Sequence, residues 1–379
     1  MPPFLEPDHP ELGARARAWA EKNLAPGRDD GAEVEKTAAR LVAELGRAGW
    51  LAYVAPGEFG GAREKISVRD WCVLREELAF AWALADAMFA VQALGSHPVM
   101  LAGTDAQKRR LLPPLARGEA IAAFAMTEPK AGSDVAGIQT RAVRRGGEYR
   151  IDGMKSFVSN AGLAGSYVVF ASTEPEKKSK GLSAFLVRGD NRGLVVKEKI
   201  RLLSPHPIAV VAFEECVVPE SDLLGREGDG IKIAFAAFDA LRPTVGAAAV
   251  GMARRALAEA LGYSRERKQF DRALAEFQGI QFKLADMATE LEASRLLVYQ
   301  AAWNYDRGAD GKKSASMAKL FATEAAQRIV DQALQIHGGA GLISGTAVAR
   351  LYDDVRALRI YEGTSEIQKL VIARELLKA

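Results

Sequence analysis

The sequence predicts an α+β chain in which two helical blocks flank one small β domain, and three changes of residue texture carry that prediction. Residues 1–120 read as an α-helical domain: Ala, Leu, Glu and Arg recur at helical spacing, broken by "APGEFGGA" and by Pro113-Pro114. Residues 121–230 read as the middle β domain, an antiparallel barrel or sandwich. Its segments "YRIDGMKSFVS", "SYVVFAS", "LSAFLVRG", "GLVVKEKI" and "AVVAFEECVV" are short, β-branched or aromatic, and separated by Gly, Asn, Asp and Ser. Residues 231–379 return to helix, with "DALRPTVGAAAVGMARRALAEALGYSRER" and "QFKLADMATELEASRLLVYQAAWNYDRG" each long enough for many turns. At 379 residues the chain is long for one core, so two or three packed units are expected.

Individual stretches refine this plan. "LAFAWALADAMFAVQALG", interrupted by Asp86 and Gln92, predicts a buried helix rather than a membrane span. Gly246, Ala247, Ala248, Ala249 and Gly251 predict close helix packing and suggest a subunit interface. Hydrophobic residues make up 49% and charged residues 26%, with a formal charge of +3. Such a mixed, nearly balanced surface predicts neither a nucleic-acid nor a membrane partner. Two cysteines, Cys72 and Cys216, lack metal-ligand spacing, and the early acidic residues do not resemble a targeting peptide; a reduced, cytoplasmic setting is expected.

The available chemistry is narrowed by what the motifs lack. The histidines His9, His97, His206 and His337 are dispersed, so no metal site is expected, and neither a Gly-x-Ser-x-Gly elbow nor a Gly-x-x-x-x-Gly-Lys loop occurs. "HGGAGLISG" misses the dinucleotide glycine spacing by one residue, yet its backbone could approach a phosphate closely. "FAMTEPKAGSDVAGIQT", at the helix-to-sheet junction, gathers hydroxyls and glycines able to line a planar cofactor or simply to cap a connection. In "LRIYEGTSEIQKL", Ser365 and Gln368 have capping-box spacing, and Glu362 lies just upstream, either as a charge against the helix dipole or as a catalytic group.

Taken in order, "FAMTEPKAGSDVAGIQT", "FDALRPTVGAAAVGMARRAL", "RKQFDRALAEFQ", "QALQIHGGAG" and "YEGTSEIQ" resemble the motifs of acyl-CoA dehydrogenases from about residue 40 to the end. The resemblance implies a helical N-terminal domain, a middle β domain, a C-terminal four-helix bundle and FAD. It also implies a homotetramer, a dimer of dimers, passing electrons to an electron-transferring flavoprotein. By the same resemblance Phe124, Met126 and Thr127 lie along the flavin ring, Phe157 stands where the family usually has Trp, and Ser159 is beside flavin N5. Ser133 meets the flavin phosphate or the CoA arm, Arg267, Phe270 and Gln278 reach a neighbouring subunit's FAD, and Gln335, Gly338 and Gly339 face its adenine and pyrophosphate end. Asp239, Arg242, Tyr361 and Gly363 are implied on the substrate side, Thr364 and Glu366 at the nucleotide, and Glu362 as the base. The family's alternative position for that base is Ala240, which cannot act.

The departures are Lys130 for a usual glycine, expected to face solvent, Asp271 after Phe270, and "SPHPIAVVAFEEC", where His206 is expected to fill a turn. Phe89, Gln92, Leu94 and Val245 are candidate acyl-pocket walls. Two other functions belong to similar folds: an oxygen-using flavin oxidase or monooxygenase, which "YEGT" disfavours, and a DNA-binding flavoprotein, which would show a basic extension.

Overall fold

The computed structural model describes residues 4–24, 33–309 and 311–378. Helices come first: α1 Asp8–Asn23, α2 Val34–Arg47, α3 Val68–Ala81, α4 Ala83–Ala102 and α5 Asp105–Ala116. Strands follow: β1 Ala122–Ala125, β2 Arg141–Arg145, β3 Glu148–Ser159, β4 Ser166–Ser172, β5 Leu182–Arg188, β6 Leu194–Lys199, β7 Ile208–Pro219 and β8 Leu223–Leu224. The rest is α6 Gly230–Glu266, a hairpin of β9 Lys268–Gln269 and β10 Arg272–Ala273, α7 Gln278–Asp306, α8 Lys312–His337, α9 Ala347–Arg356 and α10 Ser365–Leu377. The stretch expected as one helix from 78 to 95 is two: the chain bends at Trp82, although Trp82 N still donates to the Leu78 carbonyl at 2.7 Å.

Two compact units result. The sheet unit joins 33–67 to Ala87–Phe238. Its strand order is β6-β7-β3-β2-β4-β5-β8, with β1 added on β4. Pairing is antiparallel except where β1 and β2 meet β4 in parallel. Tyr149, Ile151, Val169, Phe185, Val211 and Phe213 fill one sheet face. The β3–β7 pair shifts register between Lys155 and Val158, and a bulge of this kind re-aims side chains. Phe157, with φ 54°, lies inside it and turns outward. Gln92 holds β1 at its start, accepting from Ala122 N at 2.7 Å and donating to the Ala120 carbonyl at 2.9 Å. It is a structural clamp rather than the expected pocket wall, and Phe89 and Val245 are wholly buried.

The helical unit gathers α1, Val68–Asp86 and the chain from Asp239 on. Here α3 packs on α1 and α7, and α8 packs on α7, α9 and α10. The small residues of α6 serve this interior. A Cβ on Gly251 would lie 2.2 Å from the Glu76 carbonyl oxygen, one on Gly246 would lie 2.7 Å from Val298, and Ala247 to Ala249 are inaccessible. That stripe therefore does not face a subunit neighbour, contrary to expectation. Although α6 is long and apolar enough to cross a membrane, 78% of its apolar window is buried within this fold.

Candidate active site

The stretch before α10 is a tight, strained turn. Glu362 has φ 55° and Gly363 φ 95°, the left-handed region that costs a non-glycine residue about 1–3 kcal/mol and recurs at functional sites. Only glycine fits at 363, where a Cβ would meet the Gln368 amide at 2.7 Å. The expected Ser365–Gln368 capping box does not form. Thr364 is the N-cap, its Oγ1 accepting from Ile367 N, while Ser365 donates to Glu324 at 2.6 Å. The reason is register: α10 starts at Ser365, one residue earlier than a Ser365 cap requires. Gln368 is thereby released to reach back, donating to the carbonyls of Glu362 at 3.3 Å and Gly363 at 2.9 Å.

Cations complete the clamp. Lys319 of α8, with no exposed surface, donates to the Gly363 carbonyl at 2.6 Å. Arg242 of α6 points Nε at the Glu362 carbonyl at 3.5 Å and pairs with Asp239 at 3.1 Å. The Glu362 side chain is differently placed: its Oε2 is enclosed with no hydrogen-bond partner among the described residues. Burial raises the Glu362 pKa above the usual carboxylate value, opposed by Arg75, Lys319 and Arg242 and reinforced by Asp86. Burial also lowers the Lys319 ammonium to about 8, against the pull of Glu362. Such a carboxylate, enclosed yet still ionisable, suits proton abstraction. Position 240 is a wholly buried alanine, whose methyl side chain cannot take a proton, so no second base comes from there.

In the sheet unit, residues 126–140 form a strap knotted around Glu128. Its backbone bridges Ala131, and its carboxylate accepts from Gln139 N at 2.7 Å, Thr140 N at 3.0 Å and the buried Lys155 ammonium at 2.8 Å. Lys155 donates as well to the Met126 carbonyl at 3.0 Å. Burial lowers Lys155 to about 8; it would also raise Glu128, but the ammonium and amide donors more than offset it and the carboxyl is held below its usual value. Phe124, near the end of β1, packs on Phe170 and Phe238, and Met126 at the start of the strap faces the core, so these two offer mainly backbone. Thr127 is half-buried, while Lys130 and Ser133 are exposed. Phe157 is 58% exposed. Ser159 lies 2.7 Å from His206 Nε2, so His206 does more than fill a turn; burial lowers it to about 4, leaving a neutral imidazole.

The remaining expected residues are surface features. Arg267, Phe270 and Gln278 flank the β9–β10 hairpin and are exposed, Phe270 at 89%. Phe270 and Asp271 both take left-handed backbone, φ 51° and 61°, which is the twist a two-residue hairpin needs and which Asp tolerates. Gln335, Gly338 and Gly339 end α8, all exposed, and Glu366 is exposed on α10. Arg75, Lys319, Glu128 and Lys155 were not singled out from the sequence. Arg75 and Lys319 sit within largely apolar helical runs, "DWCVLREELAF" and "ASMAKLFATEAA", and a charge in such company signals a buried partner.

Comparison with known proteins decides what these pieces belong to. The acyl-CoA dehydrogenase N-terminal, middle and C-terminal domains match residues 6–119, 123–216 and 228–377. The chain belongs to the acyl-CoA dehydrogenase family. It is 40% identical to the 3-(aryl)acrylate reductase of Clostridium sporogenes over 99% of this chain and 100% of that one. The structure of butyryl-CoA dehydrogenase from Megasphaera elsdenii superposes with a TM-score of 0.93 at 34% identity, covering 98% and 99% of the two chains. A chain in the structure of the electron transferring flavoprotein of Acidaminococcus fermentans gives 0.92 at 35% identity, with 99% of each covered. The three-domain acyl-CoA dehydrogenase fold, oxidoreductase chemistry and dependence on FAD follow from this membership. The residues present fit a flavin. Phe157 offers an exposed ring face, and at Gly132, Gly338 and Gly339 a Cβ would meet nothing within 4 Å, leaving backbone open to an anionic group.

Proposed function

We propose that this acyl-CoA dehydrogenase interconverts an acyl-CoA thioester and its trans-2-enoyl-CoA, with Glu362 as the base that takes the α proton. The observation that carries the reading is the enclosed, partnerless Glu362 Oε2 on a turn whose carbonyls are tied down by Lys319, Arg242 and Gln368. An α C–H is weakly acidic, so the base must be ionised and held at fixed geometry, and the thioester oxygen must be hydrogen-bonded as charge develops on it. The Glu362 N–H is the backbone donor for that oxygen, and Tyr361, Gly363, Asp239 and Arg242 border the thioester. FAD, when bound, accepts the hydride leaving the β carbon. Thr127, Phe157 and Ser159 would hold its ring, Ser133, Thr364 and Glu366 its phosphates and nucleotide, and Arg267, Phe270, Gln278, Gln335, Gly338 and Gly339 the FAD of a neighbouring subunit. By microscopic reversibility the same groups serve reduction of an enoyl or acrylyl thioester.

A cytoplasmic homotetramer is proposed because Phe270 and Phe282, 89% and 64% exposed, call for cover, and because Cys72 and Cys216 are buried free thiols. Its electron partner is an electron-transferring flavoprotein. Anaerobic mixing of the FAD-loaded protein with a panel of acyl-CoA thioesters tests the reading: one member bleaches the flavin, and the reduced form reacts with an electron-transferring flavoprotein far faster than with air. Prompt reoxidation by oxygen would replace the dehydrogenase with an oxidase.

A further inference from the structure

The segment "SPHPIAVV", which departs from the family pattern and which the proposed reaction leaves idle, carries a specific contact. His206 Nε2 lies 2.7 Å from Ser159 Oγ, and both residues are half-buried. The backbone pins each partner. Pro205 and Pro207 flank His206, and a residue that precedes proline is biased to extended backbone. Ser159 pairs with Ile208 in the β3–β7 ladder, Asn160 N donates to the Pro207 carbonyl at 2.8 Å, and Ile200 N donates to the Ile208 carbonyl at 2.9 Å. Asn160, wholly buried at φ 61°, anchors the chain after β3 by donating from Nδ2 to the Ala122 carbonyl at 3.1 Å. Val158 is 1% exposed, so strand alternation leaves Phe157 and Ser159 together on the outward side of β3.

A serine hydroxyl has one proton to give and two lone pairs to offer. Burial keeps His206 neutral, its pKa lowered to about 4, so one of its ring nitrogens is an acceptor. With Nε2 in that role, the Ser159 proton is committed to the imidazole, and only lone pairs remain for a ligand. Flavin N5 accepts hydrogen bonds when oxidised and carries a donating N–H when reduced. An oxygen restricted to accepting therefore favours the reduced form.

We infer that His206 is a positioning residue: it takes the hydrogen bond of the Ser159 hydroxyl and turns the lone pairs of that oxygen toward the open side of β3, where they would favour the reduced flavin. The inference rests on the proposed place of Ser159 against the flavin ring.

The test is the midpoint potential of the FAD-loaded protein, read by anaerobic equilibration with a redox dye. His206→Leu should shift the ratio of reduced to oxidised flavin at a given potential about tenfold toward oxidised, a fall of about 30 mV for a two-electron couple. His206→Gln, which again offers an acceptor, should recover most of the loss. Ser159→Ala should lower the midpoint similarly, and adding His206→Leu to it should change nothing further, because the imidazole acts only through that hydroxyl. FAD content and melting curves establish folding; if His206→Leu does not fold, His206→Phe, a ring without nitrogen, takes its place. A midpoint that is unmoved or raised in the folded His206 variant, or that falls further in the double variant, overturns the inference. An unmoved midpoint in Ser159→Ala removes the proposed place of Ser159 as well, whereas a fall there beside an unmoved His206→Leu overturns the role of His206 alone.

Discussion

The base turn at 361–364 and the strap at 126–140 are built from the same two parts, a fully buried lysine donating to a backbone carbonyl and a nearby glutamate. Lys155 bonds the Met126 carbonyl and Lys319 the Gly363 carbonyl, and burial lowers each to about 8. The glutamates diverge. Glu128 is saturated by the ammonium and two amides and is held below its usual value, whereas Glu362 keeps Oε2 without a partner and is raised. Saturating a carboxylate makes it a staple. Enclosing it unsaturated suits it to proton abstraction, the role proposed for Glu362.

Breaking the staple should have the largest effect on the fold. Lys155→Met leaves Glu128 buried against amides alone and should cost about 3–5 kcal/mol in urea unfolding, with loss of bound FAD. Because folding holds Glu128 below its ordinary value, the stability it adds is present above that value and lost as pH falls through the folded one; in Lys155→Met the acid-side loss should begin at higher pH. Lys319→Met, by contrast, should leave the fold largely intact. Glu362 must be ionised to act and loses a neighbouring cation, so the acid limb of flavin reduction should move up by about one pH unit, with the rate along that limb falling about tenfold. The smallest change belongs to the exposed ring: Phe157→Ala should weaken FAD by about 1 kcal/mol, roughly five- to tenfold, measured by flavin fluorescence.

The order of helix, sheet and helix was legible because periodicity and turn residues are local signals. The parallel edge at β4 was not, since pairing partners lie far apart in sequence. Glu362 was legible by resemblance, but its environment was not: Arg75, Asp86 and Lys319 come from α3, α4 and α8 and converge only on folding. Ser365 seemed the cap because its spacing to Gln368 matches a capping box, yet Thr364 took that place and Gln368 turned to the base. The α6 glycines were legible as close contacts; what they touch, Glu76 and Val298, was not.

The central claim is that Glu362 removes the α proton. In Glu362→Gln, loaded with FAD and mixed anaerobically with the best acyl-CoA of the panel, flavin reduction should slow by about four orders of magnitude, the upper end for loss of a general base, while FAD and thioester still bind. Bleaching at near the parent rate would contradict it.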